Sequence, residues 1–177
     1  GHARRNRAAD RGQLTRTLQN QARGRPMRAI TLKHPWPFAI AHLGKRIENR
    51  GWAPHPRQLA PGEVFAIHGG AVPRYETDWL DVASIASDLF ARFGRPAGME
   101  HIPTKDLVLP GIVAVATFGG VLRKSDDPWF QGPCGWVLEG VRTFLPPIRC
   151  PGAQGLWTVP PRVLAELEAR LPVPRAY

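Results

Sequence analysis

The stretch LGKRIENRGW, residues 43 to 52, sets Lys45, Arg46 and Arg50 around a single carboxylate, Glu48, with a glycine before them and Trp52 after. Cations hold phosphate and aromatic faces take bases, so this combination suits a phosphorylated ligand that also stacks. If RIENR is extended, side chains alternate: Arg46, Glu48 and Arg50 share one face, about 7 Å apart, and Ile47 turns to the core. Glu48 is then expected to orient the two arginines, whose charge keeps it ionised. Lys45 follows Gly44, where a turn can aim it to the same side. Trp36 or Trp52 would supply the ring. The competing possibility is a solvated edge strand carrying surface ion pairs of little energetic value.

Other residues with chemical potential are scattered. His68 closes the strand-like EVFAIHGG, and His34 stands beside Pro35 and Trp36; either is a possible base or phosphate contact, and His68 a possible general base. Lys33 would widen the basic rim. Trp129 lies in a polar loop and is available to stack on a base, whereas Trp136 and Trp157 read as core. The loop from Gly94 to Pro110, with His101, Thr104 and Lys105, is long enough to act as a lid.

These residues need a scaffold. The chain has 177 residues with 43% apolar side chains, which supports one hydrophobic core. RAITLK reads as a strand, and HPWPFAIAHLG as a short helix entered through its prolines and stopped at Gly44. EVFAIHGG is a second clear strand. Residues 78 to 93 repeat Trp79, Val82, Ala83, Ala86, Leu89, Phe90 and Phe93 at helical spacing, with Thr77 or Asp78 as the cap. GIVAVATFGGVL, GWVLEGVRTFL and GLWTV follow as strands. A last helix, PPRVLAELEARL, buries Val163, Leu164, Leu167 and Leu171. Five or six short strands with helices inserted and appended predict an α+β fold built on a small β-barrel with peripheral helices.

Charge divides the chain. Residues 1 to 28 hold eight arginines against Asp10, which is +7 of the formal +10; the remaining residues are nearly balanced. Residues 1 to 27 are therefore read as a basic, flexible tail and 28 to 177 as the folded domain. Cys134 and Cys150 lack metal-ligand or CxxC spacing, so free thiols in a reducing compartment are expected, with no metal and no cofactor. No apolar run reaches membrane-spanning length, and no segment resembles a signal peptide. A cytoplasmic protein is expected.

The segment TLKHPWPFAIAHLGKRIENRGW resembles the signature of activating signal cointegrator homology (ASCH) domains, members of the PUA-like superfamily. That family carries a G-x-K-x-x-E-x-R pattern, with which Lys45, Glu48 and Arg50 fall in register; Leu43 stands at the glycine position and the glycine follows at Gly44. AIHGG, GIVAVA, GPCGWVLEGVR and GAQGLW fit in the same order, so the resemblance runs from about Met27 to Leu171. It implies a PUA-like barrel and a basic cleft between barrel and helices, with RNA or DNA as partner. Together with the residue types around that segment, the expected binding residues are Lys45, Arg46, Glu48, Arg50, Trp36, Trp52, His34, His68 and Lys33. Some branches are enzymes, hydrolysing acetylcytidine or RNA, which leaves open a hydrolase using Lys45 with Glu48 or His68, or a reader of a modified nucleotide without turnover. In the acetylcytidine branch the position of Glu48 is a threonine, so that activity fits this chain less well.

Overall fold

A computed structural model describes residues 24–171 of the chain. Most of the basic tail expected over residues 1 to 27, and the last six residues of the expected domain, lie outside the described residues. The elements run β1 (Arg28–Leu32), α1 (Trp36–His42), β2 (Ile47–Arg50), β3 (Val64–Gly69), α2 (Glu76–Phe93), a 3-10 turn (Thr104–Leu107), β4 (Gly111–Leu122), β5 (Cys134–Ile148), β6 (Trp157–Thr158) and α3 (Pro161–Arg170).

The six strands form one mixed sheet in the order β2-β5-β4-β3-β1-β6, curled into a half-barrel. β1 and β3 are parallel; the other neighbours are antiparallel. The α+β class is as expected. The sheet ends in two edge strands, β2 and β6, which are not each other's neighbours, so it is an open curl. Register shifts along β4, on both sides, supply curvature.

Alternation explains the layers. Phe65 and Ile67 of β3 join Ile30, Leu32 and Val113 in one cluster, while Val64 and Ala66 join Ala29, Ile112 and Val115 in another on the opposite face. α3 covers the second face through Val163 and Leu167, both fully buried and each contributing about 1.5–3 kcal/mol. α1 lies between the sheet and α2: its Ile40 packs on the first face, and its Phe38 on Val82, Ala86 and Phe90. A seven-residue helix survives here because packing on both sides replaces the propensity it lacks.

Several expected boundaries move. α2 begins at Glu76, two residues early, and no side chain caps it, so neither Thr77 nor Asp78 has that role. The strand read in GLWTV shrinks to Trp157–Thr158, and Trp157 is half-buried rather than core. The segment 94–110 is not a free lid at its far end: Leu107 and Val108 are buried against Phe38 and α2.

Candidate functional site

The site begins at the end of α1. Gly44 takes a φ of 71°, a left-handed conformation that other residues rarely adopt, and the chain reverses there. The Lys45 amide then returns to the Ala39 carbonyl at 3.2 Å. This turn points the Lys45 side chain inward, ahead of β2, whose Glu48 is held opposite Trp136 of β5. The Lys45 ammonium donates to Glu48 Oε2 at 3.2 Å and to the Ile47 carbonyl. Lys45 is only 2% exposed and Glu48 6%. Burial pushes the lysine pKa down, opposed by the charge and hydrogen bond of Glu48 and by Asp127, and aided by Arg50.

Two indoles face the same ammonium. Its nitrogen lies 5.4 Å from the ring centre of Trp36 and 5.8 Å from that of Trp129. Trp129 is stacked on Phe93 of α2, with ring centres 3.9 Å apart and planes 9° from parallel. Asn49 ties down the loop that carries Trp129: its Nδ2 donates to the Trp129 carbonyl at 2.9 Å, and its Oδ1 accepts from the amides of Gln131 and Gly132 at 2.8 and 3.0 Å. Asp127 and Ser125 cap the start of the same loop. Between these groups lies a cavity of ≈ 160 Å³, also lined by Leu89, Arg92, Pro128 and Gln131.

The arginines behave differently from the strand expectation. Arg46 precedes the first paired residue of β2, so alternation does not bind it; it is exposed, and its Nη1 donates to the carbonyls of Ile40 and Lys45, both at 2.9 Å. Arg50 reaches the Thr31 carbonyl at 3.4 Å, and its buried Nε has no hydrogen-bond partner among the described residues. Glu48 therefore pairs with Lys45, three residues back, and does not serve to orient the two arginines. Trp52 is 39% exposed, packs edge-on against Trp136 and does not line the cavity.

His34, His68 and Lys33 belong to a second space, a groove of ≈ 800 Å³ between the ends of β1 and β3, α2 and the 152–154 loop. Trp36 lines both spaces and divides them. Lys33 is exposed on its rim, but both histidines are buried and saturated. His34 Nε2 donates to the Gly70 carbonyl at 2.8 Å while Nδ1 accepts from the Leu109 amide at 3.3 Å. The Trp157 indole donates to Thr31 Oγ1 at 3.0 Å, Thr31 to His68 Nδ1 at 3.2 Å, and His68 Nε2 to the Cys150 carbonyl at 2.8 Å. The Leu109 amide fixes His34 as the neutral Nε2–H tautomer, and the Cys150 carbonyl requires a proton on His68 Nε2. Burial lowers both pKa values. Neither ring has a nitrogen free for a phosphate, a base or a substrate proton.

The structure thus brings Trp36, Lys45 and Glu48 together and separates them from Trp52, His34, His68 and Lys33. It adds Asn49, Arg92, Phe93 and Trp129, of which only the loop tryptophan carried a signal in sequence. The arrangement offers a donor, an acceptor and flat apolar walls within one small space, with the exposed Arg92 at its edge. Among the described residues, no group of three or more His, Cys, Asp or Glu side chains could hold a metal ion, and no helix is long and apolar enough to cross a membrane. Cys134 and Cys150 are free. No protein-family model matches the chain, and no curated protein matches it.

Proposed function

We propose that the chain is an ASCH-type, PUA-like domain that binds single-stranded RNA or DNA by taking one unstacked base into the cavity beside Lys45. The observation that carries this reading is the buried Lys45–Glu48 pair set between Trp36 and Trp129 at the wall of an open cavity. A base entering there meets an aromatic face, a hydrogen-bond donor and an acceptor, the three elements by which unstacked bases are held. The volume suits one ring system and not a length of strand. The buried Lys45 reads the inserted group, and the exposed Arg92 takes a flanking phosphate. Free cysteines suit a reducing compartment, and we place the protein in the cytoplasm.

Titrating the full chain with a single-stranded oligonucleotide over a range of salt tests this. Three or four phosphates neutralised give a log affinity against log salt slope of about −2 to −3. The Arg92→Ala change should flatten that slope by about 0.7. An unchanged slope would remove Arg92, and with it the cavity mouth, from the binding surface.

A further inference from the structure

We infer that Lys45 is a Schiff-base-forming amine that condenses, with Glu48 as proton carrier, with a small aldehyde; in a nucleic acid this is the ring-opened sugar left where a base is missing. This rests on the reading of the cavity as a nucleic-acid site and extends it from binding to chemistry.

Several features converge on this amine. An ion pair stripped of water gains little over apolar side chains of the same volume, so its presence in a fold needs another reason. This pair borders a cavity of ≈ 160 Å³ rather than close-packed core. The chain also uses arginine for twenty of its twenty-four basic residues and lysine only at 33, 45, 105 and 124. Arginine would pair with Glu48 more permanently and in two-pronged geometry; lysine is the cation that can give up its proton and attack carbon. Desolvation lowers the Lys45 pKa, which favours that form. Arg50, Asp127 and Arg92 are the other charged groups nearby, and Trp36, Phe93 and Trp129 supply the aromatic walls of the cavity.

The step balances within the dyad. Glu48 takes one proton from the ammonium, and the free amine attacks the aldehyde carbon as the carbonyl π bond breaks. A proton moves from the new C–N nitrogen to the oxygen, giving a carbinolamine. Glu48 returns its proton to the hydroxyl, water leaves, and the nitrogen lone pair forms the protonated imine. Ammonium and aldehyde become iminium and water, with no oxidant or reductant consumed.

The test incubates the native full chain with a single-stranded DNA carrying one base-less site, traps imines with cyanoborohydride and maps adducts by peptide mass. Exposed Lys33, Lys105 and Lys124 are internal controls, so no variant need fold. The expected result is an adduct on Lys45 in about tenfold or greater excess over every control amine, lost when the chain is denatured first. Glu48→Gln should slow trapping at Lys45 by about a hundredfold. No adduct, adducts shared among the exposed amines, or a trapping rate unmoved by Glu48→Gln would overturn the proposal. Affinity for an intact oligonucleotide is measured alongside. Retained affinity without a Lys45 adduct refutes the chemistry alone, whereas loss of both refutes the nucleic-acid reading.

Discussion

Asn49 holds Trp129 in place across eighty residues of sequence: its amide nitrogen donates to the Trp129 carbonyl, and its oxygen accepts the two amides at 131 and 132. One side chain on edge strand β2 thus fixes the wall that faces Lys45. Asn49→Ala removes three hydrogen bonds, each worth about 1 kcal/mol, from a loop and not from the core. The expected outcome is fast hydrogen exchange at residues 129–132 with a global loss of about 1–2 kcal/mol. Mass-spectrometric exchange and urea unfolding check both parts.

The buried pair makes a sharper prediction. Lys45→Met alone leaves Glu48 buried without a counter-charge, and Glu48→Leu alone does the same to Lys45. Each should cost about 3–5 kcal/mol, while the double change should recover most of that loss. A double-mutant cycle by urea unfolding measures the coupling. Additive losses would show that the pair is not a unit.

Stability should fall in mild acid. His34 and His68 have lowered pKa values in the fold, so below about pH 6.5 the unfolded chain binds protons that the folded chain refuses. Stability is fully present above pH 6.5 and is lost as pH drops toward the folded pKa values, by up to about 1.4 kcal/mol per pH unit for each histidine. Thermal unfolding between pH 7.5 and 5 measures this, and His68→Gln should make the decline shallower.

Gly152 touches the same network. A Cβ there would lie 2.5 Å from the His68 ring and 2.6 Å from Thr31 Oγ1, far inside contact distance. Gly152→Ala should therefore destabilise by about 1–3 kcal/mol. Imidazole NMR signals would report a displaced His68 while Lys45 and its cavity stay intact.

Local pattern carried much of this fold. The continuous apolar run in EVFAIHGG, buried on both faces of the sheet, marks β3, and the prolines before FAIAHL mark the first turn of α1. The site was legible only at one end. Lys45 and Glu48 are close in sequence, yet the strand spacing pointed Glu48 at Arg46 and Arg50. The turn at Gly44 lies outside that spacing and delivers Lys45 instead. Trp129, Phe93 and Arg92 reach the cavity through the docking of α2 on α1 and the Asn49 tether, and no periodicity along the chain encodes either. His34 and His68 show the reverse: residue types suited to chemistry whose nitrogens tertiary contacts have already used.

The cavity's role in taking a base rests most directly on Trp129. Binding of a single-stranded oligonucleotide to the full chain and to Trp129→Ala, over a range of salt, separates stacking from phosphate contacts. Stacking is worth about 1–3 kcal/mol per base, so the substitution should weaken binding roughly tenfold to a hundredfold and leave the salt slope unchanged. Equal affinity for the two proteins, with the variant folded by circular dichroism, would contradict the account.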